Sequence, residues 1–492
     1  MRVHEVIEKS GVVFGTSGAR GLVSEMTDYT CYGYTVGFLK MMLAANVWNA
    51  GDRVALAGDL RPSTPRILSA CTKAVLDMGG EPIFCGFQPT PALALWAFEQ
   101  GIPSLMVTGS HIPDDRNGIK FYRPDGELLK EDEPLIIRQE VAFSKSQWTA
   151  AGALLDQPPA IPLTNIGPAY VRRYVDFFGP QCLSGRRIGV YQHSAVGRDL
   201  LVDVLAALGA EVLPLGRSDQ FIPVDTEAVR PEDHALARLW TKEHRMEAIA
   251  STDGDSDRPL LADENGDWIR GDILGVICAR FIGAQTVVTP VSSNSMVDAM
   301  GCFRRVVRTR IGSPYVIAAM NAARDSGDGL VCGYEANGGF LLGGDVRLHD
   351  HTLKALPTRD AVLPILTALV AAGKDGLAHL VRALPQRVTA SDRLPDFLPA
   401  RRHQLMAWLD PADREVRTAR LQAAFSGLAG APLLHVDDTD GIRMRFSNQC
   451  VIHLRASGNA PELRCYTEAD APETATALNR AALAWVSTQF SG

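Results

Sequence analysis

No Cys-x-x-Cys pair occurs in the 492 residues, no apolar run reaches the ~18 needed to cross a bilayer, and no long block of basic residues accumulates. The first absence argues against a thiol metal ribbon or a redox dithiol. The second argues against a membrane span, and the third leaves no electrostatic footprint for nucleic acid. The N-terminal stretch Met1-Arg-Val-His-Glu-Val-Ile-Glu-Lys-Ser10 also lacks the apolar centre of a signal peptide. The nine cysteines are scattered, several within apolar stretches, which reads as reduced thiols in a cytoplasmic protein. What is present is an ordinary globular composition, 46% hydrophobic, with a net charge of −7. Any phosphate-bearing partner must therefore be met by local basic residues. The chain is too long for one core and should divide into roughly three or four domains.

The chemistry-bearing stretch is Asp253-Gly-Asp-Ser-Asp-Arg258, in which carboxylates alternate after the apolar run that ends at Thr252. Alternate spacing lets a loop at a strand end turn every second side chain towards one point, and hard oxygen ligands there suit Mg²⁺. A solvated acidic turn is the other reading. An EF-hand would place Glu264 at its twelfth loop position, but Arg258 stands where that loop needs glycine and the flanks read as strands.

Further motifs surround it. Phe14-Gly-Thr-Ser-Gly-Ala-Arg-Gly21 is either a plain Gly-rich turn or an anion site of backbone N–H groups with Arg20 as a fork of donors. The polar stretch after Val107 begins Thr108-Gly-Ser-His111, with Ser110 as a candidate exposed nucleophile and His111 as its hydrogen-bonding neighbour. Lys120 follows as a candidate general acid/base. Arg455-Ala-Ser-Gly-Asn-Ala-Pro-Glu-Leu-Arg464 reads as a hairpin turn or as an anion cradle.

The segments Arg53–Asp59, Arg187–His193 and Thr286–Ser292 each read as a buried strand that runs into a polar turn and then a helix. Each is followed by another short apolar strand ending in a polar motif, at His111, Asp255 and Asn337 respectively. The repetition predicts three related α/β domains with mixed sheets, at 1–157, 158–265 and 266–380, and ligands in such sheets gather beyond strand ends. The alternating strands near 441–446 and 450–455, with helical periodicity from Glu473 to Phe490, predict a C-terminal α+β domain at 381–492. A metal cluster, an exposed serine and a separate anion cradle together suit a chemistry that adds one phosphate while gripping another.

These motifs, with Gly333-Tyr-Glu-Ala-Asn-Gly-Gly339, resemble in order the signatures of the α-D-phosphohexomutases, from about Phe14 to Glu468. The resemblance implies four domains around a central cleft. Ser110 would be a phosphoserine, and Asp253, Asp255 and Asp257 would hold Mg²⁺ together with the seryl phosphate. Arg20, His111, Lys120 and Arg258 would surround the transferring phosphoryl group. Glu335 and Asn337 would bind sugar hydroxyls, with Arg310 also facing substrate. Arg455, Ser457, Gly458, Asn459 and Arg464 would anchor the phosphate that is not reacting. The implied substrate is a hexose phosphate, with a hexose 1,6-bisphosphate as intermediate and activator, in a monomer or homodimer.

The phosphomannomutase branch is the most similar, so interconversion of mannose 6-phosphate and mannose 1-phosphate is expected. Phosphoglucomutase or phosphoglucosamine mutase activity and a silent sugar-phosphate binding protein are the alternatives. The chain departs from the family pattern at Asn337 and Gly339, where Ser and His are usual, and at Arg310 and Ser313, where Lys and His are usual. Ile112 and Asn459 also stand in place of Asn and Thr.

Overall fold

The computed structural model describes residues 2–15, 17–348, 350–456 and 462–490. They fall into two compact units, Met1–Val287 with Gly312–Val381, and Val288–Ile311 with Arg382–Gly492. Three larger sheets contribute strands to the first unit, together with the two-stranded ribbon Val346–Leu348 and His351–Leu353. In the first, strand order runs Val13–Phe14, Ala19–Leu22, Arg116–Arg123, Ser104–Val107, Arg53–Gly58, Glu81–Phe87, and Gly126–Glu127 pairs beside Arg116–Arg123. The strands that flank helical crossovers pair in parallel, Arg53–Gly58 lying between Glu81–Phe87 and Ser104–Val107. Arg116–Arg123 turns back antiparallel to Ser104–Val107, so the loop at Ser110 joins adjacent strands.

The second sheet repeats this logic. Arg187–His193 pairs in parallel with Glu211–Arg217 and Ala248–Thr252, and the chain then reverses into Pro259–Ala262. The third contains the antiparallel run Val331–Tyr334, Phe340–Leu342, Leu356–Asp360. In each case a strand buried along its length ends in a polar loop, which is the pattern expected from the sequence.

The sequence predicts a first crossover helix from Tyr29 to about Asn49 with mixed apolar spacing. The helix spans Asp28–Ala44, and Thr27 caps it by accepting from the Thr30 N–H at 3.2 Å. Its weak periodicity has a physical cause: Cys31, Tyr32, Tyr34, Val36, Phe38, Leu39, Met41 and Met42 are all buried, on nearly every face. Phe38 is fully buried, its ring centroid 5.1 Å from that of Phe121 on the sheet. None of the described cysteines forms a disulfide. Among the described residues no helix is long and apolar enough to cross a membrane.

The second unit is built on an antiparallel sheet in the order Val388–Leu394, Leu463–Ala469, Val451–Ala456, Ile442–Phe446, Leu433–Asp437. The helices Arg414–Ala429 and Pro472–Gln489 pack its apolar face, with Phe425 and Leu421 in the same core as Leu454 and Val486. Asp413 caps the first of these helices by accepting from the Glu415 and Val416 N–H groups, and Gly430 closes it in the left-handed region at φ 67°.

His453 lies fully within this sheet and its Nε2–H donates to the Asp440 carbonyl at 2.6 Å. Burial, aided by Arg443, lowers its pKa to about 4. The folded state thus binds fewer protons there than the unfolded chain between pH ~6.5 and about 4. Stability contributed by the neutral ring is complete above the upper value and declines as pH falls. Acidification across this window should remove up to ~3 kcal/mol, and urea titrations of wild type and His453→Gln should show a shallower pH slope in the variant.

Candidate functional site

The loop between Ala248–Thr252 and Pro259–Ala262 folds around its own first carboxylate. Asp253 Oδ1 accepts from the backbone N–H groups of Asp257 and Arg258, both at 3.2 Å. Ser256 sits in the left-handed region at φ 60°, its hydroxyl accepting from the Gly197 N–H at 2.9 Å and from Thr252 at 2.8 Å. This turn sends Asp253, Asp255 and Asp257 to one point. All three are fully buried, and one oxygen from each lies within 4.8 Å of the others.

Such a cluster cannot stay ionised without positive charge. Lys120, opposite Met106 on its strand, brings Nζ to 2.5 Å from Asp255 Oδ2 and 2.6 Å from Asp257 Oδ2. Burial pushes the Asp255 carboxyl up, but Lys120, the Thr90 hydroxyl at 2.6 Å and Arg359 together hold it below the ordinary carboxylate range. Asp253 lacks that compensation, and burial with the charges of Asp255 and Asp257 raises its pKa well above the usual value. Asp255 Oδ1 and Asp257 Oδ1 are buried without a hydrogen-bond partner. Oxygen donors of this kind, clustered and unsatisfied, fit a hard divalent cation.

Ser110, expected from the sequence to be exposed, is instead fully buried, because its hydroxyl turns into the same cluster. Its Oγ donates to Asp253 Oδ2 at 2.6 Å and lies 3.3 Å from His111 Nδ1. The residue holds φ 56°, a conformation a serine adopts only when its surroundings impose it. They do so through Arg61, which sequence reasoning did not single out. Arg61 is almost fully buried, pairs with Asp59 at 3.1 Å, and donates to the carbonyls of Ser110, Ile112, Pro113 and Arg116 at 2.6–2.9 Å. Asp59 in turn accepts from Thr108, whose hydroxyl accepts from the Ser110 N–H. Phe221 stacks on the Arg61 guanidinium at 4.1 Å. A Cβ at Gly254 would stand 2.6 Å from the Ser110 carbonyl oxygen, so glycine is what permits the two loops to touch.

Arginines complete the cluster. Arg20 lies opposite Gly118 in the sheet, Arg258 Nε is 3.8 Å from both Asp253 and Asp257, and Arg359 Nε donates to Asp257 Oδ2 at 3.0 Å. Burial, then the charges of Arg258 and Arg359, lowers the Arg20 pKa to about 10. Burial, with Arg258 and Arg20, lowers His111 well below its ordinary value and keeps the ring neutral.

Arg359 also reaches Glu335 Oε2 at 3.2 Å. Asn337 is buried beside it, its side-chain oxygen accepting from the Gly339 N–H at 2.9 Å and its carbonyl from Thr226. Thus Arg20, Ser110, His111, Lys120, Asp253, Asp255, Asp257, Arg258, Glu335 and Asn337 belong to the first unit.

Arg310, Arg455 and Arg464 belong to the second. There Asp440 pairs with Arg455 Nε at 2.9 Å, and Arg310 Nε donates to the Thr439 carbonyl at 3.3 Å. Arg455 stands opposite Arg464, whose Nε donates to Glu462 at 2.8 Å. Ser457, Gly458 and Asn459 lie outside the described residues.

Residues 11–147 match the model of phosphoglucomutase/phosphomannomutase alpha/beta/alpha domain I, and residues 270–388 that of domain III. A phosphomannomutase of Salmonella muenchen is 46% identical over 96% of this chain and 95% of its own length. The chain belongs to the phosphoglucomutase/phosphomannomutase family. A phosphomannomutase of Sinorhizobium fredii, 43% identical over 95% of this chain and 97% of its own, is a further relative.

Among solved structures, a phosphoglucomutase/phosphomannomutase family protein from Burkholderia thailandensis superposes with a TM-score of 0.72 at 18% identity, covering 96% of this chain and 97% of that one. An Aspergillus fumigatus N-acetylphosphoglucosamine mutase in complex with GlcNAc-6P and magnesium does so at 0.58 and 14%, covering 100% and 99%. The fold of this family member is therefore the multidomain α/β fold expected from its sequence.

Arg61, Thr90 and Arg359 carry no local motif and escaped sequence reasoning. Their one signal is a charged or hydroxyl residue at the end of a buried strand or the start of a buried helix, as in Asp59-Leu-Arg61 and Thr358-Arg-Asp360. Arg61→Met should leave Asp59 buried and unpaired and cost ~3–5 kcal/mol. Limited proteolysis should then cut the loop at 108–116 in the variant and spare it in the wild type.

Proposed function

We propose that this family member interconverts mannose 6-phosphate and mannose 1-phosphate through a phosphoserine at Ser110 and a hexose 1,6-bisphosphate. The observation that carries the reading is the Ser110 hydroxyl held at 2.6 Å from Asp253, inside a buried carboxylate cluster that has unsatisfied oxygens and basic groups on its border. The phosphomannomutase relatives, matched along nearly their whole length, support the choice of sugar.

In the forward half-reaction the bond from phosphorus to Ser110 Oγ breaks while one forms to a sugar hydroxyl oxygen. Arg20, Arg258 and neutral His111 border Ser110 and supply donors for the phosphoryl oxygens, where charge spreads in a loose transition state. Lys120 is assigned the general acid/base role: only as a neutral amine, its contacts to Asp255 and Asp257 given over to the bound cation, would its Nζ take the proton of the attacking hydroxyl, and in the reverse half it would return that proton to the leaving oxygen. Asp253, Asp255 and Asp257 would hold a divalent cation, Mg²⁺ by donor type, which adds positive charge beside the seryl phosphate.

Glu335 accepts from sugar hydroxyls, with Asn337 and Arg310 as further substrate contacts. Arg455, Ser457, Gly458, Asn459 and Arg464 are assigned to the phosphate that is not reacting. The same reading divides the chain into four domains near residues 157, 265 and 380, and sets it to work in the cytoplasm.

Ser110→Ala should abolish turnover of mannose 1-phosphate, supplied with Mg²⁺ and a trace of hexose 1,6-bisphosphate, and the added phosphate on intact mass. Full activity in that variant would remove Ser110 from its role. Parallel assays on glucose 1-phosphate and glucosamine 1-phosphate decide the sugar, since a preference for either over mannose 1-phosphate reassigns the enzyme within its family. Mg²⁺ should raise the melting temperature of the wild type by mass action, and Asp255→Asn should abolish the shift. An equal shift in the variant would place the ion elsewhere.

A further inference from the structure

Three buried guanidinium nitrogens around the candidate pocket have no hydrogen-bond acceptor: Arg20 Nε, Arg258 Nε and Arg359 Nη2. Buried donors are rarely left unmade in native proteins, and an unmatched set gathered round one carboxylate cluster points to a ligand rich in acceptor oxygens. The sequence motifs already point to Arg20 and Arg258 as substrate-facing. Arg359 has no such motif, yet its geometry is the most tightly determined of the three.

Its Nε and Nη1 are committed to Asp257 at 3.0 Å and Glu335 at 3.2 Å. Its backbone lies in the strand Leu356–Asp360, and the next residue, Asp360, accepts from Tyr170 and Tyr174 and from the Val362 N–H at 2.8–3.1 Å. The guanidinium therefore has little freedom, and its remaining donor edge is fixed between the acidic loop and the loop that carries Glu335.

The aliphatic stem explains a departure noted in the sequence. A Cβ at Gly339 would lie 2.6 Å from Arg359 Cδ and 2.8 Å from Cγ, closer than carbon atoms tolerate. No side chain at 339 is compatible with this arginine in this place. Gly339 and Arg359 form one device, in which a bare backbone makes room for an arginine that enters from the neighbouring strand.

We propose that Arg359 is a substrate-binding residue, its Nη2 donating to an oxygen of the hexose phosphate held beside Glu335 while Nε and Nη1 keep the acidic loop and the sugar loop in register. The proposal deepens the mutase reading and rests on it. It assigns recognition to a residue pair rather than to the sugar loop alone, and an arginine's fixed fork, unlike a lysine's point charge, can serve three acceptors at once.

The test combines steady-state kinetics on mannose 1-phosphate with calorimetric binding of mannose 6-phosphate to the dephosphorylated full-length enzyme. Arg359→Lys keeps the charge and should raise KM and the Kd for mannose 6-phosphate by about tenfold or more. Gly339→Ala removes no charged group, but by crowding the stem it should produce a loss of similar size. The double variant Arg359→Gln/Gly339→Ala should bind no worse than Arg359→Gln alone, because both changes act on one contact.

Binding and KM within about twofold of wild type in both single variants would overturn the proposal, as would losses that simply add in the double variant. Should the Arg359 variants fail to fold, the calorimetric comparison of Gly339→Ala with wild type still decides. A wild type that binds mannose 6-phosphate but turns over none of the hexose 1-phosphates would sink the mutase reading and leave the binding comparison standing.

Discussion

Three carboxylates buried side by side impose the constraint on which the rest of the first unit depends. Asp253, Asp255 and Asp257 bring negative charge into a region without solvent, and burying one such group alone is already costly. The surrounding chain responds with cations drawn from well-separated segments: Arg20 and Lys120 from one sheet, Arg258 from the acidic loop itself, and Arg359 from a third sheet. Each of those sheets has to place a strand end at this point. The architecture can thus be read as a means of delivering compensating charge to one loop, with the nucleophile brought in by the same route.

The charge balance also explains why the site is made of networks rather than isolated pairs. Lys120 touches two carboxylates, Arg359 touches Asp257 and Glu335, and Thr90 donates to Asp255 from the first turn of its helix. Glu127, itself buried, is satisfied by the hydroxyls of Ser313 and Thr358. A ligand with several oxygens enters a field that is already organised. Little reorganisation is then left for the moment of transfer, and such preorganisation is where electrostatic catalysis draws its strength.

Much of this was legible in the sequence because short-range geometry writes itself into short motifs. An acidic hexapeptide between two apolar runs, a serine at the exit of a buried strand and a glycine-rich turn ending in arginine each announce a loop with a task. The helix at Asp28–Ala44 was harder to read, since burial on nearly all sides erases the amphipathic period that betrays a surface helix. Arg61 and Arg359 were invisible for a different reason. What makes them important is the company they keep across 49 to 102 residues of sequence, and no local pattern encodes a partner that far away.

The hold of Arg61 on the Ser110 loop is made almost wholly through main-chain carbonyls. Main-chain oxygens are common to every residue type, so the loop's shape is insulated from the identity of the side chains at 112, 113 and 116. Evolution is left free to redecorate that rim, altering what approaches the serine from outside, without disturbing the serine itself. Ile112 is one such position: Arg61 holds its carbonyl at 2.6 Å and leaves its side chain unconstrained.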